Sequence, residues 1–81
     1  MAFALTVTRP DGTGFIDNDG SGEPPASKFA AALAVLRVFA EEGVTITVRE
    51  AAHVARELLD GETGVPRRQH ESGYTFKITE F

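Results

Sequence analysis

The sequence predicts an α+β fold, a small antiparallel sheet built from a hairpin and a C-terminal strand, with two helices packed on one face in the order β-β-α-α-β. Three observations carry this expectation. Phe3, Leu5 and Val7 alternate with Ala4, Thr6 and Thr8, and Tyr74, Phe76 and Ile78 alternate with Thr75, Lys77 and Thr79; a period of two marks strands with one buried face. Between them, Pro24 to Gly61 reads as two helices joined by Val44-Thr45-Ile46-Thr47. The chain is 81 residues long, which leaves room for one core, so residues 1–81 are read as a single domain.

The first strand, Phe3 to Thr8, runs into Arg9-Pro10-Asp11-Gly12. Proline presets φ at the second turn position and glycine tolerates positive φ, so a hairpin follows, returning through Thr13 to Asp17 with Phe15 or Ile16 inward. With the C-terminal strand beside it, the first strand is expected at the centre of the sheet. Its Thr-rich face would meet water and its apolar face would lie under both helices. Asn18 to Glu23 reads as a loop. Its Asp17-Asn18-Asp19-Gly20 start is only superficially a calcium loop, because Phe15 and Ala26 stand where two ligands belong.

The first helix is expected from Pro25, a residue suited to the first helical position, to about Glu42, with Gly43 as a left-handed cap. Ala26, Phe29, Leu33, Leu36 and Ala40 form one face, widened by Ala32 and Phe39. Ala31, Ala34, Val35 and Val38 then fall on the other side. A helix apolar nearly all round is covered on several sides, by its own fold or by a partner. The core is accordingly expected to join Phe3, Leu5, Phe29, Leu33, Leu36, Leu58, Phe76 and Ile78, leaving Val35 and Val38 to bind a partner.

The second helix opens on Thr47-Val48-Arg49-Glu50, a capping box, and closes at Gly61. Val48, Ala51, Ala52, Ala55, Leu58 and Leu59 share one arc, and Arg49, Glu50, His53, Arg56, Glu57 and Asp60 fill the opposite one. Arg49, His53, Arg56 and Glu57 are therefore candidate partner-binding residues. Glu50 and His53 stand three apart, as in bundle di-metal sites, but those need a second copy and further glutamates; no metal is expected. From Glu62 to Ser72 an arm, a short strand and a two-turn helix opened by Pro66 all remain open.

Composition narrows the function classes. The chain is 42% hydrophobic and 25% charged, with no cysteine and a net charge of −4, so disulfides and thiolate metal sites are excluded. A generic binder of phosphate backbones, which rests on clustered Lys and Arg, is disfavoured. No basic segment leads into an apolar N-terminal stretch, and Lys28 and Arg37 interrupt the most apolar run, so neither a signal peptide nor a membrane span is expected and the cytoplasm is the default location. Asp11-Gly12-Thr13-Gly14 sits in a hairpin turn, not between a strand and a helix, and so lacks the setting of a phosphate loop. No catalytic or cofactor motif is present, and no enzyme activity or cofactor is expected.

Thr47-Val48-Arg49-Glu50-Ala51-Ala52, followed by Ala55 and Leu58, resembles the opening helix of helix-turn-helix domains of the excisionase and MerR-like type. Gly64-Val65-Pro66-Arg67-Arg68 is similar to their turn into a recognition helix, though the link from Leu59 to Gly64 is longer and more acidic than in those families. The resemblance implies a winged-helix DNA-binding protein in which Arg67, Arg68, Gln69 and His70 read bases. The leading expectation is different: a small non-enzymatic binding or regulatory protein that works through protein contacts, with a homodimer as one form.

Overall fold

The structure, a computed structural model, describes residues 2–17, 27–69 and 71–80. Its elements follow the order β-β-α-α-β-β: β1 (Phe3–Thr8), β2 (Gly14–Asp17), α1 (Lys28–Glu41), α2 (Val48–Asp60), β3 (Arg67–Arg68) and β4 (Thr75–Glu80). The four strands form one antiparallel sheet in the order β2-β1-β4-β3, so β1 is an inner strand as its pattern predicts. The fourth strand is the addition to the expected three. Arg67 and Arg68 pair with Phe76 and Thr75, so within the open segment after α2 these two residues form an extended edge.

The β1–β2 turn forms as its residues dictate. Gly12 takes φ 94° and donates its amide to the Arg9 carbonyl at 3.0 Å. Asp11 Oδ1 accepts from both the amide and the hydroxyl of Thr13, at 2.9 and 2.6 Å. The turn sets the register, pairing Val7 with Phe15 and Leu5 with Asp17. Phe15 thus takes the inward place and Ile16 the outward one, where it is 61% exposed.

Both helices are capped by side chains. Ser27 Oγ accepts from the Ala30 amide at 3.1 Å and caps α1 at Lys28; Pro24, Pro25 and Ala26, where the start was expected, lie outside the described residues, as do the calcium-loop-like Asn18, Asp19 and Gly20. Thr47 Oγ1 accepts from the Glu50 amide at 3.1 Å, as the capping box predicts. At the end of α1, Gly43 has φ 69°, its amide bonds Ala40 O, and the Val44 amide bonds Phe39 O. These two bonds make a Schellman motif.

The helices lie antiparallel over the inward face of the sheet. Leu5, Val7, Phe76 and Ile78 from β1 and β4 meet Ala31, Ala32, Val35, Val38 and Phe39 from α1 and Ala51, Val54, Ala55 and Leu58 from α2. Phe39 stands edge-on to Tyr74 and to Phe76, with ring centroids 5.9 and 5.2 Å apart. The expected core holds at Leu5, Leu58, Phe76 and Ile78, and Phe3 and Leu36 pack against it partly buried.

It fails on α1. Val35 and Val38 are fully buried, whereas Phe29 and Leu33 are 57% and 45% exposed, so the helix is rolled about its axis relative to the expectation. A helix apolar on every side has no apolar moment strong enough to choose its roll. Polar anchors choose it. Arg37 pairs with the buried Asp17 at the end of β2, Lys28 Nζ donates to the Gly61 carbonyl at 2.5 Å, and Glu42, the C-cap, binds Arg9. The smaller Ala31, Ala32 and Val35 then face the sheet and permit close approach.

Candidate protein-binding face

The roll that buries Val35 and Val38 turns Phe29, Leu33, Leu36 and Ala40 outward. Phe29, Leu33 and Ala40 are exposed and Leu36 is half-buried. On α2 the outward apolar residues are Val48, 75% exposed, and Ala52. The two rows meet. Leu36, Ala40, Val44, Ile46, Val48 and Ala51 line a shallow cavity of roughly 130 Å³ at the α1–α2 link. At the far end of the hairpin, the Lys28–Gly61 bond ties the start of α1 to the end of α2. Exposed apolar residues therefore lie on the outer side of the helical hairpin, Phe29 and Leu33 on α1 and Val48 on α2.

The charged row of α2 borders this surface. Arg49, His53, Arg56 and Glu57 are all exposed, as their arc predicts. His53 Nε2 lies 3.0 Å from Glu57 Oε1, and Arg56 Nε lies 3.7 Å from Asp60 Oδ2, both in i,i+4 register. Such exposed pairs contribute little to stability. Val35 and Val38, the other two expected contact residues, have no accessible surface and cannot touch a partner.

The segment expected to read bases is placed elsewhere. Arg67 and Arg68 sit on the exposed edge strand β3, and the Gln69 amide is engaged by the Tyr74 carbonyl at 2.7 Å; His70 lies outside the described residues. A Cβ added at Gly61 would fall 2.6 Å from Arg67 Nη2, so this guanidinium lies over the C-terminus of α2. That helix has no basic residue in its own last turn. Lys28 and Arg67 supply the positive charge that its carbonyl end favours.

One polar cluster lies at the opposite end of the sheet, where the two hairpin turns meet. A Cβ at Gly73 would fall 3.0 Å from the Pro10 ring. Beside it, Arg9 Nε donates to Glu42 Oε1 at 2.5 Å, and the Tyr74 hydroxyl donates to the same oxygen at 3.0 Å. Arg9 also lies 4.7 Å over the Phe15 ring. The Arg9 bond, with the Tyr74 bond behind it, holds the Glu42 carboxyl below the usual carboxylate range. Burial, and then the bond to Glu42, pushes the Tyr74 phenol up, and the Glu42 bond pushes Arg9 up further. The hydrogen bonds to Glu42 favour the charge states already present at neutral pH, and the Arg9 charge opposes them only in its smaller effect on Tyr74. The cluster fastens the β1–β2 turn and the start of β4 to the C-cap of α1.

The outward row of α1 escaped the sequence because Phe29 and Leu33 are larger than the residues that replace them in the core. A signal was present in Lys28, Arg37 and Glu42, whose side chains need partners on neighbouring elements and so constrain the roll. No protein-family model, curated protein or solved structure matches this chain. Among the described residues, no helix is long and apolar enough to cross a membrane.

Proposed function

We propose that this protein is a small non-enzymatic binding protein, regulatory in kind, that acts through protein contacts made by the outer face of the α1–α2 hairpin. The observation that carries the reading is the exposure of Phe29 and Leu33 on α1, on the helix whose Leu36 and Ala40 line the cavity beside Val48, with the charges of Arg49, His53, Arg56 and Glu57 exposed on α2. An apolar centre with a polar rim is the anatomy of protein-binding sites. The cytoplasm is the proposed location.

The DNA-binding alternative rests on Arg67 and Arg68, which are exposed. It has less support, since both lie on an edge strand where a recognition helix would be needed, in a chain of net charge −4.

Capture from a host lysate separates the two. The immobilised protein is expected to retain proteins that are lost with Leu33→Glu or Val48→Glu and kept with Arg67→Ala/Arg68→Ala. Retention of duplex DNA at about 50 mM salt, abolished by the double arginine variant, would replace this reading with the DNA one. Protein retention unchanged by both face variants would remove the helical face from the function.

A further inference from the structure

We propose that the side of the sheet turned away from the helices is a second binding surface, one that takes a phosphorylated segment of a partner protein. Arg68 and Lys77 hold the phosphoryl group over Thr75, and Ile16 seats an apolar residue of the same segment. This surface is distinct from the helical face and does not depend on it.

Strand register sorts the side chains. Leu5, Val7, Phe76 and Ile78 pack with the helices, so their neighbours along β1 and β4 point away. Thr6 and Thr8 stand opposite Lys77 and Thr75, and Ile16 and Gly14 stand opposite Thr6 and Thr8. Arg68 is opposite Thr75 and shares its outward side. Arg67, opposite Phe76, is on the helix side, where its guanidinium meets the end of α2. Glu80 lies opposite Phe3, also on the helix side. The outward strand positions therefore carry two cations and no carboxylate, in a chain of net charge −4.

The fold does not use these two charges. Arg9, Arg37 and Arg56 each lie beside a carboxylate, and Lys28 bonds the Gly61 carbonyl. Among the described residues, no ion pair engages Arg68 or Lys77. Arg68 is exposed, and Thr6, Thr8, Thr75 and Lys77 are half-buried.

The donors gather about one point. Thr75 has Arg68 across from it on one side, Thr8 on the other, and Lys77 two residues further along its own strand. Arg68 and Lys77 are thus diagonal neighbours, about 7–8 Å apart, and both long side chains reach a shared anion. A phosphoryl group brings about −1.5 to −2 of charge and three acceptor oxygens, which suits two cations and the hydroxyls beneath them. A single carboxylate would leave one cation unmatched.

Other polyanions fit less well. Phe3, Phe15, Tyr74 and Phe76 all pack with the core, so this face offers no ring on which the bases of a single strand could stack. Recruitment to anionic lipid rests on clusters of about 4–8 Lys and Arg. Ile16 favours a peptide over free phosphate. It is 61% exposed and lies across Thr6 from Lys77, two strand spacings or about 10 Å away, the length of about three extended residues.

The test titrates the intact, isotope-labelled chain with a glycine-based peptide that carries one phosphoserine and a leucine three residues to either side. Amide NMR shifts are read at about 50 mM salt. Shifts are expected around Thr8, Thr75 and Lys77, with a dissociation constant of about 0.1–1 mM, too weak to survive the washes of lysate capture. Arg68→Ala and Lys77→Ala should each weaken binding at least about tenfold. Arg67→Ala removes the same charge from the other side of the sheet and should change it less than about twofold. Ile16→Ser should weaken it about threefold, as should glycine in place of both leucines, and Leu33→Glu should leave it unchanged. Circular dichroism melts confirm that each variant folds.

An absence of shifts at about 5 mM peptide overturns the proposal, as do shifts confined to the helices. Equal losses with Arg67→Ala and Arg68→Ala would reduce the effect to net charge and overturn it too. So would equal binding of the peptide with serine or glutamate in place of phosphoserine, or of inorganic phosphate alone. Tighter binding of an oligothymidylate than of the phosphopeptide would replace the partner with a single-stranded nucleic acid.

Discussion

At the residue scale, two aromatic residues ten positions apart on one helix have opposite fates. Phe39 is 2% exposed and packs its ring edge against Tyr74 and Phe76, whereas Phe29 is 57% exposed. Phe39→Ala should therefore cost about 3–5 kcal/mol, a large share of the stability of so small a domain. Leu33→Ala, on the exposed row, should change stability by no more than about 0.5–1 kcal/mol. Urea unfolding of the two variants measures both, and equal losses would mean that α1 has the roll first expected from its sequence. The Glu42 carboxylate makes a second prediction. Its carboxyl is held low by Arg9 and Tyr74, and Asp11 is held low by the hydroxyl and amide of Thr13. A carboxyl depressed in the folded state binds fewer protons there than in the unfolded chain. Its contribution is complete above the ordinary values of about 4.3 and 3.9 and is lost as pH falls through the lower folded ones. Stability measured by urea unfolding between about pH 2 and 7 should decline over that acid limb. Glu42→Gln should make the decline shallower, leaving the part that belongs to Asp11, and an unchanged slope would show that Glu42 is not held as described.

At the element scale, ends were more legible than faces. The Thr47 cap, Gly43 in the left-handed region and Gly61 at the end of α2 all stand where their residue types predict, because capping is decided within a few residues of chain. Thr47→Ala should cost about 1 kcal/mol. Gly43→Ala should cost about 1–2 kcal/mol; nothing lies within 4 Å of the added Cβ, so this is backbone strain alone. Thermal melts of the two check both, and a neutral Gly43→Ala would mean that the α1 end is not a Schellman cap. Which side of a helix is buried is decided over long separations, by Asp17 for Arg37, Gly61 for Lys28 and Arg9 for Glu42, and no local pattern contains those partners. The same holds for α2, where Val54 is buried and Val48 is 75% exposed, a smaller roll than that of α1. The two-residue β3 was illegible for a further reason: Arg67 and Arg68 have no apolar alternation, and only their pairing with Phe76 and Thr75 makes them a strand. Of the candidate site, the charged row of α2 was readable and the apolar row of α1 was not.

At the scale of the whole molecule, the sheet has two inner and two edge strands, and the edges are short. Inner amides are shielded on both sides and open only when the fold does. Native-state hydrogen exchange should accordingly find the slowest amides in β1 and β4 and the fastest strand amides in β2 and β3. Protection of β2 equal to that of β1 would point to a further contact along the β2 edge. The pairing at the centre of the sheet has a consequence for how the protein comes into being. β1 and β4 join the earliest and latest elements in the order, with Phe3 opposite Glu80 and Thr8 opposite Thr75. Phe76 and Ile78, which complete the core, arrive on that last strand. A chain emerging from the ribosome must therefore hold β1 and the apolar sides of both helices without their shared floor until β4 is released. Long-range closure of this kind is slow relative to helix formation. During that interval the α1–α2 hairpin exposes both its future core and its outer row.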